Sequence, residues 1–328
     1  MKEALFYEKL PEKKVRCQLC ARSCLIGEGK AGFCSVRKNI EGKLFSLVYG
    51  KLCSIAVDPI EKKPFYHFLP GTRALSIATV GCNLACKFCQ NFDISKPKEI
   101  FGKNTGPKEV VEAARKNNCQ SIAYTYTEPT VFYEYALDVM KLAKRQGLKN
   151  VWVSNGYTQK EPIAKMSKYL DAVNVDIKGD EKVYSSLCLA SLKPVLSALK
   201  EYKKRKVWIE ITMLIIPGHN DSEKWMGEIT EWVSENLGRE TPLHISRFFP
   251  MYLMTDVPPT PLETLKKLHK VAKKNLDHVY LGNIPEDLSR DTLCASCGEL
   301  MVSRSGYKIT PPPKACKKCG KKLAGVYA

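Results

Sequence analysis

Three cysteines in the segment GCNLACKFCQN have the spacing to bind an iron–sulfur cluster. Cys82, Cys86 and Cys89 follow a short apolar stretch, and no fourth cysteine lies near them in the sequence. Three thiolates on one loop can ligate three irons of a 4Fe-4S cluster, which leaves the fourth iron open and therefore reactive. The alternatives are a zinc site or three core cysteines, and they are disfavoured because structural zinc prefers four ligands.

Two further cysteine groups have spacings typical of metal sites. The N-terminal pattern CxxC-x3-C-x9-C can wrap either one zinc ion or a second iron–sulfur cluster, and spacing alone does not choose between them. The C-terminal pattern, two CxxC pairs with 18 residues between them, predicts a four-cysteine zinc ribbon. Isolated cysteines are typically small, buried apolar side chains. The first group is Cys17, Cys20, Cys24 and Cys34, the second is Cys294, Cys297, Cys316 and Cys319, and the isolated cysteines are Cys53, Cys119 and Cys188.

Composition limits the class of protein. A chain of 328 residues with 44% hydrophobic and 26% charged residues is long enough for one catalytic domain with appendages, and it is not a disordered chain. It contains no apolar run of membrane-spanning length and no signal peptide, so we expect a cytoplasmic protein with no membrane partner. The net charge of +18 suits an acidic protein or RNA as a partner, even after metal-bound thiolates reduce it.

The elements that must position these cysteines alternate between short β-rich runs and amphipathic stretches. Six such strand–helix units predict an α/β fold with a parallel sheet, either an open doubly wound sheet or a partial (β/α)6 barrel. The expected domains are an N-terminal cysteine-rich cap (1–72), the partial barrel (73–285) and the C-terminal zinc ribbon (286–328). The predicted strands are 74–80, 121–126, 150–155, 172–177, 207–215 and 243–248.

The CxxxCxxC spacing, Phe88 before the last cysteine and the preceding strand resemble the radical S-adenosylmethionine (SAM) superfamily. The segment HISRFFP resembles the HxSRFxP segment of the radical SAM enzymes of the AmmeMemoRadiSam system, which are similar to pyruvate formate-lyase activating enzymes. This resemblance extends over nearly the whole chain, including its N-terminal cysteine block. It implies that the open iron binds SAM, and that an electron from a low-potential donor yields a 5′-deoxyadenosyl radical that abstracts hydrogen.

The resemblance also implies roles for polar residues that follow the predicted strands, where parallel α/β folds place their active sites. Tyr126 and Thr127 replace the two glycines of the superfamily's Gly-Gly-Glu turn. Glu128 could instead simply cap the next helix, and His244 and Arg247 could be ordinary polar strand ends. The residues implied to contact SAM are Glu128, Asn155, Asp176, Lys178, Glu210 and His219, and those implied on the substrate side are His244 and Arg247.

Hypotheses from different classes remain for the target of the chemistry. In the first, the substrate is a protein, as for glycyl-radical activating enzymes, and an acidic protein would suit the basic cap and ribbon. The resemblance also implies Memo-like protein associates. In the second, the enzyme modifies RNA or a small metabolite, and the basic ribbon is its docking arm. A third, non-enzymatic hypothesis is a zinc-ribbon transcription factor or an iron–sulfur scaffold, and it predicts no SAM binding.

Overall fold

A computed structural model describes residues 1–284, 290–306 and 308–327. Its strands are β1 (Lys2–Glu3), β2 (Tyr7–Lys9), β3 (Val15–Cys17), β4 (Leu25–Ile26), β5 (Arg37–Ile40), β6 (Lys43–Ser46), β7 (Lys51–Leu52), β8 (Ser54–Pro59), β9 (Arg73–Ala78), β10 (Lys103–Asn104), β11 (Ser121–Tyr124), β12 (Lys149–Ser154), β13 (Ala172–Asp176), β14 (Trp208–Ile215), β15 (Leu243–Arg247), β16 (Val279–Gly282), β17 (Thr292–Leu293), β18 (Leu300–Val302), β19 (Arg304–Ser305) and β20 (Lys308–Ile309). Its helices are α1 (Phe92–Ser95), α2 (Pro107–Lys116), α3 (Tyr133–Arg145), α4 (Lys160–Met166), α5 (Glu181–Cys188), α6 (Leu192–Lys204), α7 (Glu223–Leu237) and α8 (Leu262–Asn275).

An eight-stranded sheet in the order β8-β9-β11-β12-β13-β14-β15-β16 forms the centre of the molecule. The strands from β9 to β16 are parallel, and β8 pairs antiparallel with β9 at one edge. The predicted α/β fold with a parallel sheet is therefore confirmed. Two strands of this eight-stranded sheet were not predicted. One is β16 at the far edge, and the other is β8, which was expected in the cap.

The strands of this sheet are buried because helices cover the outer face and side chains fill the inside. Five of the six residues of β9 are buried, and so are all four of β11. The outer helices present apolar stripes to the sheet: α3 alone buries eight residues and ends in two basic residues, as its dipole favours. Parallel strands aligned in this way bring all their carboxyl ends to one side of the molecule.

The amino ends of the strands are closed by residues 63–68, which we call the floor segment. It follows β8 and places Phe65, His67 and Phe68 completely inside the protein. Asn174 of β13 donates a hydrogen bond to Pro64 O at 2.8 Å, so the floor segment is fastened to the inner face of the sheet. Within the described ranges, no comparable segment fills the carboxyl ends of the strands, and a cavity opens there.

The N-terminal cap consists of small antiparallel sheets that pack beside the carboxyl end of the barrel. Arg37 of β5 forms a 2.8 Å ion pair with Glu134 of α3, and both side chains are almost completely buried. The same carboxylate accepts the backbone N–H of Leu5. A buried pair of this kind is costly to break on one side only, so it fixes the cap to the barrel.

The C-terminal ribbon packs on the amino end of the barrel, under the floor segment. Arg304 donates from Nη2 to Tyr66 O at 2.8 Å, and Val326 N donates to His67 O at 2.8 Å. Tyr280 OH lies 2.7 Å from Thr292 Oγ1. The ribbon and the open end of the barrel are thus on opposite sides of the sheet. In the described parts of the chain, no helix has the length and apolarity to cross a membrane.

Candidate active site

A cavity of about 470 Å³ lies at the carboxyl ends of the barrel strands. Its size is in the range of small-molecule sites. The loop that follows β9 forms one wall, the ends of β11 to β15 form most of the rest, and residues 62–64 and Asn283 complete the lining. It brings together three cysteines and four of the polar residues predicted to contact SAM: Cys82, Cys86, Cys89, Glu128, Asn155, Asp176 and Lys178.

Basic residues hold the backbone of the cysteine loop. Lys96 donates from Nζ to Cys82 O at 2.9 Å and to Phe33 O of the cap at 3.1 Å. Arg22 of the cap donates from Nε to Asn83 O at 2.7 Å. The loop is therefore shaped by contacts with the cap as well as by its own sequence, and its sulfur atoms are left to face the cavity.

The three sulfur atoms suit a cluster better than a single ion. Among the described residues, only the C-terminal cysteines form a group of three or more ligand atoms that all lie within 4.8 Å of one another. Burial raises the pKa of Cys82 and of Cys89, so these thiols need a metal to hold them as thiolates. Three separated, partly buried cysteines around an open cavity fit a 4Fe-4S cluster.

Cys188 is the main residue at this site that sequence reasoning missed. It is the last residue of α5, it is completely buried, and its side chain lies beside that of Cys86. Its carbonyl also accepts the N–H of Ala85 at 3.1 Å. The prediction that Cys188 is a small buried residue agrees with its burial, but the structure also brings it beside Cys86, which the sequence spacing did not indicate. The two cysteines are 102 positions apart, and only the packing of α5 on the loop joins them.

Glu128 lies at the cavity but is saturated by the protein. Its carboxylate accepts Thr130 N at 3.0 Å, Thr130 Oγ1 at 2.5 Å, Ser154 Oγ at 2.9 Å and Asn155 N at 2.8 Å. Burial raises the pKa of Glu128 above its usual value, and these hydrogen bonds offset only part of the rise. The hydrogen bond from Thr130 N caps the turn at Pro129–Phe132, so the capping alternative is part of the role of Glu128. Glu128 fixes the ends of β11 and β12 relative to each other.

Tyr126 explains how the turn before Glu128 forms without its glycines. Its φ is +64°, in the left-handed region that glycine occupies at least cost. The strain is compensated at the side chain, since the Tyr126 hydroxyl donates to Asp58 Oδ2 at 2.7 Å and Lys63 Nζ lies 4.2 Å from the ring centroid. Asn91 Nδ2 donates to Tyr126 O at 2.7 Å. The turn is glycine-like in backbone and is held by side chains instead.

Asn155 links the turn after β12 to the cysteine loop. Its Nδ2 donates to Asn83 Oδ1 at 2.8 Å and lies 3.8 Å from Cys82 Sγ. Gly156 follows with a φ of +71°, and a Cβ there would come within 2.8 Å of Val175. Glycine is required at that position both for the backbone and for space, and it lets Asn155 reach the sulfur.

Asp176 and Lys178, at the end of β13, form a charged pair in the lining of the cavity. Lys178 Nζ lies 3.1 Å from Asp176 Oδ2, and the lysine side chain is 14% exposed. Burial would lower the pKa of Lys178, but Asp176 and Cys86 outweigh it and raise the pKa. Asn220 of the PGHND loop donates to Lys178 O at 2.8 Å and holds this backbone. The cavity therefore contains a fixed cation that can bind a carboxylate.

Glu210 and His244 were predicted at the cavity, but the structure places them at the floor. Glu210 is completely buried and accepts Tyr66 N at 3.0 Å, His67 N at 2.8 Å and Trp208 Nε1 at 3.1 Å. His244 Nε2 lies 2.7 Å from Glu210 Oε2. Every one of these partners belongs to the floor segment or to the amino-terminal parts of the strands.

The physical reason is depth along the strand. Glu210 is the third residue of β14 and His244 is the second of β15, so both precede the carboxyl ends. The same inward faces continue two residues later with Thr212 and Ser246, and these do line the cavity. The prediction was correct about the face of the strands on which Glu210 and His244 lie, but it was wrong about their position along the strands.

His219 and Arg247 are also outside the cavity lining. His219 is exposed on its loop, where its buried neighbour Asn220 makes the ordering contacts. Arg247 points to the outer face of β15, as alternation with Ser246 requires. Its Nε donates to Thr260 O at 2.8 Å, and its guanidinium lies 4.9 Å from the centroid of Phe249.

The C-terminal cysteines form a compact group that could hold one metal ion. Cys294 Sγ lies 3.5 Å from Cys319 Sγ, and Cys297 Sγ lies 3.6 Å from Cys316 Sγ. Four thiolates at 2.3 Å from a tetrahedral zinc ion would stand about 3.8 Å apart. The two CxxC turns have the same backbone hydrogen bonds, in which Gly298 and Gly320 donate to the first cysteine of each pair.

Comparison with known proteins agrees with this geometry. Residues 76–226 match the model of the radical SAM superfamily. The chain is 47% identical over 331 residues to the uncharacterized protein MJ0808 of Methanocaldococcus jannaschii, covering 98% of this chain and 99% of that one. It is 26% identical over 159 residues, 46% of this chain and 59% of the other, to a protein of the same organism with the provisional name glycyl-radical enzyme activating enzyme.

A solved radical SAM methyltransferase from Sphaerobacter thermophilus shares the fold, with a TM-score of 0.54, 16% identity and 71% coverage of both chains. The chain belongs to the radical SAM superfamily. Membership implies a 4Fe-4S cluster and SAM, and the three cysteines of the cavity are the residues that fit the cluster.

Proposed function

We propose that this protein binds a 4Fe-4S cluster through Cys82, Cys86 and Cys89 and uses it to cleave SAM reductively. The cluster would supply one electron, which splits SAM into methionine and a 5′-deoxyadenosyl radical that abstracts a hydrogen atom from the substrate. The observation that supports this best is that the three sulfurs share one cavity with the Asp176–Lys178 pair. A cluster site with a fixed cation beside it can hold the amino-acid part of SAM, because the carboxylate can contact both the open iron and the cation.

The residues of the cavity would act by binding and orientation. Lys178 would bind the carboxylate of SAM, because its charge is held inside the protein by Asp176. Asn155 and Asn83 would position Cys82 through their shared hydrogen bond. Glu128 is a positioning residue, since its four hydrogen bonds fix the turns on either side and leave little capacity for a ligand.

The exposed apolar residues near the mouth of the cavity favour a polypeptide as the substrate. Phe92 and Tyr252 stack there with their ring centroids 4.7 Å apart, although both are exposed to solvent. The loop after β15 also lies against the cysteine loop, since Leu253 N donates to Lys87 O at 3.0 Å. Grouped exposed apolar side chains are typical of protein-binding surfaces. The exposed large apolar residues of this mouth patch are Phe92, Phe249, Met251, Tyr252 and Leu253.

The alternative of RNA docked on the ribbon is less well supported. The ribbon lysines are exposed, but the ribbon packs against the floor segment, at the opposite end of the barrel from the cavity. A substrate held there would have to reach around the barrel. We therefore favour a protein target, as the name of the partly similar activating enzyme suggests. We also propose a reducing, cytoplasmic compartment, where clustered cysteines stay free to bind metal.

The proposal is tested with anaerobically reconstituted protein, SAM and dithionite. Wild type should form 5′-deoxyadenosine and methionine, and Cys86→Ala should form neither above the background. Cys119→Ala, which removes a buried cysteine far from the loop in sequence, is the matched control and should behave as wild type. Equal product from wild type and Cys86→Ala would contradict the proposal.

The substrate class is tested by the mouth patch. Tyr252→Ser combined with Leu253→Ser should leave uncoupled SAM cleavage unchanged, while it reduces the stimulation of cleavage by cognate protein in a cell extract. Pretreating the extract with protease should abolish the stimulation, and pretreating it with ribonuclease should not. Stimulation that is sensitive to ribonuclease only would support the RNA alternative instead.

A further inference from the structure

The four N-terminal cysteines surround a small pocket in the cap. Cys17 lies on β3, Cys20 and Cys24 lie on the turn that follows, and Cys34 precedes β5. All four line one pocket with about 20 Å³ of free volume. A metal group bonded to the sulfur atoms needs no van der Waals clearance from them, so such a pocket accommodates more than its free volume indicates.

The arrangement of these sulfurs differs from that of the ribbon. The ribbon cysteines are all within 4.8 Å of one another, whereas no three of the cap cysteines meet that limit, although all four are among the described residues. A single tetrahedral zinc ion needs thiolates about 3.8 Å apart. Thiolates on the four corners of a 4Fe-4S cube stand further apart, because the cube itself separates them. The cap cysteines share this wider spread with Cys82, Cys86 and Cys89.

Arg37 supplies an independent observation at the same pocket. It lines the pocket and is 2% exposed. Two of its nitrogens are paired with Glu134, but its Nε is buried without a hydrogen-bond partner among the described residues. Leaving a charged donor unsatisfied in the interior is costly. A sulfide-rich, negatively charged group in the pocket would provide the acceptor that the protein does not.

The pocket is adjacent to the catalytic cysteine loop. Asn83, the residue after Cys82, lines the pocket of the cap, and Cys82 lines the active-site cavity. A Cβ on Gly81 would come within 3.0 Å of Cys34 O, so the backbones of the two sites are in contact. Arg22, which lies between Cys20 and Cys24, donates to Asn83 O. Two metal groups in these positions would be separated by little more than one layer of backbone.

We propose that Cys17, Cys20, Cys24 and Cys34 hold a second 4Fe-4S cluster, not zinc, and that it relays electrons to the catalytic cluster. A low-potential one-electron carrier would be oxidised as the cap cluster is reduced, and the cap cluster would be reoxidised as the catalytic cluster is reduced. Proximity favours this route, because electron tunnelling through protein falls steeply with distance. The relay rests on the proposed function, whereas the identity of the cap metal does not.

Metal analysis of a variant without the catalytic cluster tests the identity of the cap group. The protein carries Cys82→Ala, Cys86→Ala and Cys89→Ala together, and it is reconstituted anaerobically. It should retain about four irons per chain with a 4Fe-4S Mössbauer signature, and about one zinc in the ribbon. Wild type should hold about eight irons. A triple variant with no iron and two zinc ions would overturn the proposal, whether or not wild type cleaves SAM.

The relay is tested with a cap variant, Cys20→Ala with Cys24→Ala. If it folds, it should keep the catalytic cluster and lose the cap cluster. Dithionite, a small reductant, should still reduce the catalytic cluster, whereas reduction by a reduced flavodoxin should be lost. Cys119→Ala is the matched control and should be reduced by both. Reduction of the cap variant by flavodoxin at the wild-type rate would overturn the relay.

Discussion

The two ends of the barrel each bury a glutamate on an inward-facing position near a strand, and they use it differently. At the floor, Glu210 accepts hydrogen bonds from the floor segment, a tryptophan and a histidine, so polar groups there satisfy one another. At the mouth, Glu128 is also satisfied, but Lys178 and three cysteines beside it still face a cavity. The same strands therefore build a closed structural end and an end with unused binding capacity.

The largest expected effect is at the floor. Glu210→Ala should lower the free energy of unfolding by about 3–5 kcal/mol, because it leaves several buried donors without an acceptor. Denaturant titration of wild type and variant measures this loss. The folded fraction of the variant should bind SAM with unchanged affinity. A variant of normal stability with impaired SAM binding would show that Glu210 acts in SAM binding. It would contradict the structural role assigned to the amino end of the barrel.

At the mouth, Lys178→Met should weaken SAM binding about tenfold to a hundredfold, the value expected for one hydrogen bond to a charged group. Binding to the anaerobic, reconstituted protein can be measured by calorimetry. Lys182→Met, on the exposed face of the neighbouring helix α5, is the control and should bind as wild type does. Equal affinities of all three proteins would show that Lys178 does not contact SAM.

A smaller effect is expected from acid at the floor. Burial lowers the pKa of His278 from 6.5 to about 4, and it lowers that of His67, whose ring centroid lies 4.4 Å away. Between those pH values the unfolded chain binds more protons at these sites than the folded chain, so stability falls as the pH decreases. The Tm difference between wild type and His278→Asn should shrink on acidification from about pH 7 to about pH 4.5. A constant difference would contradict the assignment.

The smallest effect is expected for Cys188→Ala. If Cys188 is only a neighbour of Cys86 and not a ligand, the variant should retain the iron content and the SAM affinity of wild type. Iron analysis and calorimetry of the reconstituted protein measure both. A loss of iron would mean that Cys188 is itself a ligand, and the catalytic cluster would then have no open iron in the resting protein.

Much of this architecture was predictable from local patterns. The six predicted strands all occur, because apolar runs alternate with amphipathic helices, and the cysteine groups were visible as short spacings. Strand β16 is as short as β11, but no predicted helix follows it to mark a strand–helix unit, so it was missed. Strand β8 was missed because it precedes the repeating pattern and pairs antiparallel.

The candidate site was predictable only in part. Alternation gives the face of a side chain but not its depth, so Glu210 and His244 could not be separated from Thr212 and Ser246 without the floor segment in place. That segment, at 63–68, lies far from both strands in sequence. Cys188 depends in the same way on the packing of α5. One local signal was available, since Tyr126 in a glycine position indicated a turn that needs support from elsewhere.

The most direct test of the central claim is a magnetic one. SAM labelled with ¹³C at its carboxylate is added to the reduced, anaerobic protein, and electron–nuclear double resonance measures coupling between the label and the cluster. Wild type should show this coupling, and Cys86→Ala should not, because only the cluster of the active-site cavity has an iron free to bind the cofactor. A reduced wild-type cluster without any coupling to bound, labelled SAM would contradict the account.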